Sequence, residues 1–240
     1  MHPNRRHLLI LTASALAGCG GGESTVNQDA PASDAMPASL MAVYRVTLRS
    51  YWTEAAFPTR FPPGAHLTGI VGATHGDAIE FWAPGRVATQ GIQDVAERGA
   101  KPALLDEVAQ AIAAGTAEFA LSGGGVPLGA AEVSLDFTIS TRQPRVTLVS
   151  MLGPSPDWFV GVAGLSLMRA GQWQQRIELP LRVWDAGTDD GASFMSGNAV
   201  TSPRGVVLAL SSAAADSDLQ DGLHRNAGAA LASIVFERQS

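Results

Sequence analysis

Apolar and polar residues alternate from the first folded stretch. Over 42–49, Ala42, Tyr44, Val46 and Leu48 fall on one side, with Val43, Arg45, Thr47 and Arg49 on the other. A period of two with charge on one face predicts a half-buried strand. The same period returns further on, where Val133, Leu135, Phe137 and Ile139 line one face and Glu132, Ser134, Asp136 and Thr138 the other. Asp136 therefore points away from the core-facing set. Residues 146–152 predict a strand that pairs with this one across a turn at 141–145. Apolar runs at 158–167 and 177–183, separated by a polar turn at 168–175, read as two strands joined by a loop, and 205–210 and 231–238 supply the last strands, with 211–228 between them as a polar loop or short helix. Short strands are expected at 66–70 and 78–82, flanking a Gly-Ala-Thr-His turn at 72–75. Pro58, Pro62 and Pro63 force a loop over 57–64, because proline removes a donor and fixes φ.

Helical spacing is confined to 91–98 and 102–114. In the second stretch Leu104, Leu105, Val108 and Ile112 repeat at three to four residues, Pro102 stands at a good helix start and Gly115 just past the end. About eight short strands with two small helical insertions describe an all-β fold, an antiparallel β-sandwich.

Before the alternation begins, the chain has a different character. Residues 1–7 carry Arg5 and Arg6 and no acid, 8–17 are apolar, and Leu16-Ala17-Gly18-Cys19 follows. This is the pattern of a signal peptide over 1–18 ending in a lipobox, and its apolar core of about ten residues falls short of the ~20 that span a bilayer. Cys19 is the single cysteine in the chain and resembles the cysteine that bacterial lipoproteins acylate after cleavage. Gly20 after it looks like the outer-membrane sorting pattern. The Arg5-Arg6 pair fits either general or twin-arginine export. Residues 20–40 are Gly, Ser, Pro, Ala and acid with almost nothing to bury, so 19–41 reads as a lipidated cysteine on a flexible tether, and 42–240 as the folded domain. The expected location is the cell envelope, with the domain held by its lipid at the outer membrane and facing periplasm or cell surface.

The formal charge is −6, and loss of Arg5 and Arg6 with the signal peptide makes it −8. That disfavours nucleic acid as a partner. With no thiol left to pair, stability must come from the core, and about 220 mature residues at 46% apolar composition are enough for one.

Candidate chemistry concentrates in 154–191. The stretch opens with PSPDWFVGV (154–162) and closes with WDAGTDDG (184–191), so that Asp157 precedes Trp158 and Asp185 follows Trp184. A carboxylate beside a large apolar group has its position fixed by packing, as a metal ligand needs. WDAGTDDG is not an EF-hand loop, because Asp190 stands where that loop requires glycine and Ser196 where it requires glutamate. Ser122 to Gly129 (SGGGVPLG) lacks the Lys-Ser or Lys-Thr of a phosphate loop. His66 and His75 have no third ligand in phase and read as structural histidines. A metal-dependent hydrolase would want a His or Lys between Pro154 and Gly191 and finds none, and Ser193 sits in no G-x-S-x-G elbow.

These two acidic motifs, with Gly72 to His75 (GATH), Phe81-Trp82 and 91–99 (GIQDVAERG), resemble the spondin N-terminal domain family, of F-spondin and mindin type, over roughly 42–238. The resemblance implies an extracellular β-sandwich similar to the calcium-dependent membrane-binding sandwich domains, with one Ca²⁺ site and no catalysis. It implies one calcium ligand from the PSPDWF motif, Asp157, and another from the WDAGTD motif, Asp185. A third comes from the strand before PSPDWF, where Asp136 is the nearest match. Asp189 stands open between a ligand and a solvated turn residue. The expected function is a calcium-binding, envelope-anchored binding or adhesion module, with a glycan, lipid or protein ligand at the cell surface. A metal-dependent periplasmic hydrolase and a purely structural lipoprotein are the alternatives.

Overall fold

A computed structural model describes residues 39–58, 60–127, 132–210 and 230–240. The signal peptide, Cys19, the tether up to residue 38 and the whole of the 211–228 segment lie outside the described residues. In chain order the elements are β1 (Met41–Ser50), β2 (His66–Leu67), β3 (Val71–His75), α1 (Gln90–Arg98), α2 (Pro102–Ala113), β4 (Ala117–Ser122), β5 (Glu132–Ser140), β6 (Arg145–Gly153), β7 (Trp158–Ser166), β8 (Met168–Arg169), β9 (Gln172–Trp173), β10 (Arg176–Leu181), β11 (Val183–Asp185), β12 (Leu208–Ala209) and β13 (Ala232–Arg238).

The strands form an antiparallel sandwich. One sheet has the order β10-β13-β1-β5, and the other runs β12-β11-β7-β6-β3-β4 with β2 paired to β6. Between them lie Tyr44, Val46 and Leu48 of β1, Phe137 and Ile139 of β5 and Ile234 and Phe236 of β13, facing Leu148, Trp158 and Val160. The alternation in the sequence thus marks the core side of the first sheet. Its outer side carries an in-register row of charge across all its strands, Asp136, Arg45, Glu237 and Arg176. The larger sheet is covered on both faces. Ile92, Val95, Leu104 and Val108 of the two helices pack with Val71, Ala73, Val149 and Phe159 on the side away from the sandwich core. A strand buried on both faces loses its polar positions, which is why β6 reads as a nearly continuous apolar run.

The helices end as their sequences direct. Thr89 caps α1, its Oγ1 accepting from Ile92 N at 3.2 Å, and Gly99 closes it in the left-handed region at φ 64°. Glu107 of α2 accepts from Gly91 N at 2.7 Å and from Thr89 Oγ1 at 2.8 Å, so one helix satisfies the first turn of the other. They meet at Gly91, where a Cβ would stand 2.5 Å from Leu104 Cα. Lys101, between the helices, donates from Nζ to Gly123 O at 2.5 Å and to Ser122 Oγ at 3.2 Å, tying the helical layer to the end of β4.

Three expectations are corrected. GATH is not a turn but part of β3, and 78–82 is a loop rather than a strand. The 132–139 and 146–152 strands do not form a hairpin: β5 pairs with β1, β6 with β3 and β7, and 141–144 carries the chain from one sheet to the other. Likewise β10 joins the first sheet, and the short β11 alone returns to β7.

Candidate metal centre

That return places Asp185. The register of β11 on β7 sets Asp185 opposite Trp158, and Ala186 N donates to Asp157 O at 3.2 Å, so the two acids stand at one end of the larger sheet. Asp157 is 0% exposed. Its Oδ2 accepts from Thr188 N at 2.7 Å, Thr188 Oγ1 at 3.2 Å and Asp189 N at 3.1 Å. Its Oδ1 is buried with no hydrogen-bond partner. Asp185 is half-buried and accepts at Oδ1 from Gly187 N at 2.7 Å. Gly187 turns at φ 71° with its α-carbon against the Gly205 backbone, a position closed to any side chain.

Both carboxyls are pushed toward the neutral form. Burial, then repulsion from Asp185, raises Asp157 to about 7 against the amides of Thr188 and Asp189. Asp185 is raised as well, chiefly by burial, with Asp189 and Asp190 adding repulsion. Such a pair is satisfied by a proton or by a cation.

The remaining acids of the motif hold the loop. Asp189, 6% exposed, accepts from Gly191 N at 2.8 Å through Oδ1 and from Ala199 N at 3.0 Å through Oδ2. Asp190 accepts from Thr201 Oγ1 at 2.7 Å. Together they staple the base of the 191–199 loop, from which Phe194 reaches back to stack edgewise on Trp158 at 5.3 Å. Thr188, which supplies two of the bonds to Asp157, had no signal in the sequence beyond its place inside WDAGTDDG.

Asp136 is not brought to the pair. It lies on β5 of the other sheet with its side chain 52% exposed, and Arg45 grips it with Nε to Oδ1 at 2.7 Å and Nη2 to Oδ2 at 2.8 Å. That partner holds its carboxyl below the usual range. The outward phase of the strand, already legible in the alternation, sends it to solvent. Among the described residues no three His, Cys, Asp or Glu side chains converge as a metal cluster; what the fold brings together is the Asp157 and Asp185 pair.

Residues 42–232 match the Spondin_N family. The chain belongs to that family. Among spondins, it is 33% identical over 209 residues to human Spondin-2, a match covering 85% of this chain and 60% of that protein. It is 31% identical over 180 residues to chicken Spondin-1, covering 71% of this chain and 22% of that protein. The chain therefore spans less than two thirds of the length of these spondins.

Proposed function

We propose that this spondin domain is a calcium-dependent binding or adhesion module, not an enzyme, held at the cell envelope by a lipid on Cys19. The observation that carries the metal reading is the buried, unpartnered Oδ1 of Asp157 beside a second raised carboxyl. An oxygen without a partner in a protein interior is costly, and a hard cation of oxygen preference removes the cost. Asp157 Oδ1 and Asp185 would hold the ion, with main-chain carbonyls and water completing the six to eight oxygens that Ca²⁺ takes. Its chemistry there is charge neutralisation. Asp157 already accepts from Thr188 and Asp189, so a cation that takes the place of its proton keeps it ionised, strengthens those bonds and consolidates the loop that Asp189 and Asp190 brace, and that loop surface is where a calcium-gated ligand contact belongs. The non-catalytic reading is supported by the absence of His and Lys from 154–191 and by the full engagement of the Asp189 oxygens with loop amides.

Thermal melts with and without metal test the site. If calcium binds only the folded form, ten times Kd adds about 1.4 kcal/mol of stability, and the test range is millimolar, as for extracellular modules at ~10⁻⁴–10⁻³ M. Calcium is expected to raise Tm, Mg²⁺ to raise it less, and Asp157→Asn or Asp185→Asn to abolish the increment. Asp136→Ala is expected to leave it intact. Equal calcium shifts in wild type, Asp157→Asn and Asp185→Asn would place the ion elsewhere.

The anchor rests on Leu16 to Cys19. Several acyl chains at ~0.8 kcal/mol per buried CH₂ hold a protein firmly to a membrane. Cys19→Ser is expected to move the protein from the membrane pellet to the soluble or unprocessed fraction. A wild-type protein that is soluble without detergent would refute the anchor and leave the calcium reading standing.

A further inference from the structure

A cleft of about 390 Å³ opens where the 76–84 loop faces β6 and β7. Arg145, on its wall, pairs with Ser166, while Met151 pairs with Phe159 next to the acid pair. Six residues separate these two levels of β6, about 20 Å at ~3.3 Å per residue, so the Arg145 end of the cleft is a different place from the metal centre. Its volume is that of a small-molecule site.

The walls are rigid. Trp82 packs edgewise on Phe159 at 5.0 Å and on Trp184 at 5.4 Å, and with Ile79 and Pro84 it supplies an apolar side. Across from it His75 is buried with both ring nitrogens engaged. Nδ1 donates to Gly76 O at 2.7 Å, and Nε2 accepts from Thr147 Oγ1 at 2.7 Å, which in turn accepts from Gly164 N at 2.9 Å. Burial, aided by the nearby Arg145 charge, pushes the His75 pKa down. This wall is therefore fixed and neutral.

The cleft's positive charge is Arg145. Its Nη1 donates to Gly164 O at 3.0 Å. No carboxylate of the described residues pairs with it, whereas Arg45, Arg49, Arg86, Arg98, Arg142 and Arg176 each have one. A half-buried guanidinium with one carbonyl acceptor keeps most of its planar fork available, and that fork matches a carboxylate in two parallel bonds. Asp77 and Glu80 also line the cleft, Glu80 with Arg86 beside it at 3.8 Å, and their charge counts against any anion and most against one of higher charge.

We propose that this cleft binds a small organic monocarboxylate, its charged end on Arg145 and its apolar or aromatic body against Ile79 and Trp82. The assignment gives a role to GATH and Phe81-Trp82, which the metal centre does not use: His75 fixes one wall, Phe81 stacks edgewise on it at 5.4 Å, and Trp82 forms the other. It stands apart from the calcium reading.

The probe is 3-phenylpropionate, titrated into the protein by calorimetry and by tryptophan fluorescence, with calcium and with chelator. Saturable binding is expected in both conditions, with 3-phenylpropan-1-ol and inorganic phosphate at least about tenfold weaker, a difference of about 1.4 kcal/mol. Arg145→Gln is expected to weaken binding at least about tenfold, with partial recovery in Arg145→Lys. Ala163→Trp, at an exposed position lining the cleft, is expected to block binding without changing charge. Melting curves report that each variant is folded. Absence of saturation with 3-phenylpropionate and with other aliphatic and aromatic monocarboxylates overturns the proposal. So does equal affinity for the alcohol, or wild-type binding by folded Arg145→Gln and Ala163→Trp.

Discussion

In chelator, the protein is expected to lose stability as pH rises from about 4 to about 7, by an amount that Asp157→Asn removes. The sign follows from proton counting. An unfolded aspartate releases its proton near ~3.9, while folded Asp157 keeps it up to about 7. Between those values the folded state holds the extra proton, so stability is full below the lower value and is lost as pH climbs to the upper one. The span is about three pH units, worth on the order of 4 kcal/mol at ~1.36 kcal/mol each. Burial of Asp185 adds in the same direction. Buried His75 acts oppositely, since its lowered pKa favours the folded state as the unfolded imidazole loses its charge. The informative quantity is therefore the difference between wild type and Asp157→Asn, in which His75 cancels. Denaturant melts at about pH 5 and about pH 8 should show the variant gaining relative to wild type at the higher pH. A constant difference would mean that Asp157 is not held neutral. With calcium the order reverses, because the ion competes with the proton, and the calcium increment should grow with pH over the same range.

Gly72→Ala and Gly161→Ala should each destabilise the domain by about 3 kcal/mol or more, at the upper end for overpacking. These glycines flank β6 on its two sides, Gly72 on β3 opposite Leu148 and Gly161 on β7 opposite Val149. A Cβ at Gly72 would fall well inside contact distance of the Thr147 carbonyl oxygen, and one at Gly161 inside that of Leu148. Neither oxygen can retreat, because β6 is buried on both faces. Gly197, with nothing within 4 Å of its would-be Cβ and no positive φ, is the control, and Gly197→Ala should melt with wild type. Similar melting of all three variants would show that the strands shift to admit a methyl group.

Gly72 also shows where the sequence could mislead. A glycine in a strand reads as a breaker, so GATH suggested a turn, yet here it marks close approach of a neighbouring backbone. The alternation of Tyr44, Val46 and Leu48 against Arg45 and Arg49 was legible because that sheet has one wet face. So were the limits of α2, marked by Pro102 and Gly115. The larger sheet was harder, since strands covered twice carry no alternation, and β4 went unseen. Strand pairing was not legible at all from 141–145: a turn sequence says that the chain reverses, not which sheet it reverses into. The pairing of Asp157 with Asp185 was legible from the motifs beside Trp158 and Trp184. The unpartnered Oδ1 was not, because it depends on which oxygen Thr188 and Asp189 occupy.

Lys101 is the one lysine in the chain, and its half-buried amine joins the helical layer to the end of β4 through Gly123 O and Ser122 Oγ. Acylating reagents thus find a single lysine amine, slowed for as long as it keeps those two hydrogen bonds. Its labelling rate, read as one mass increment, is a built-in clock for the lifting of α1 and α2 from the sheet, available on the unaltered protein.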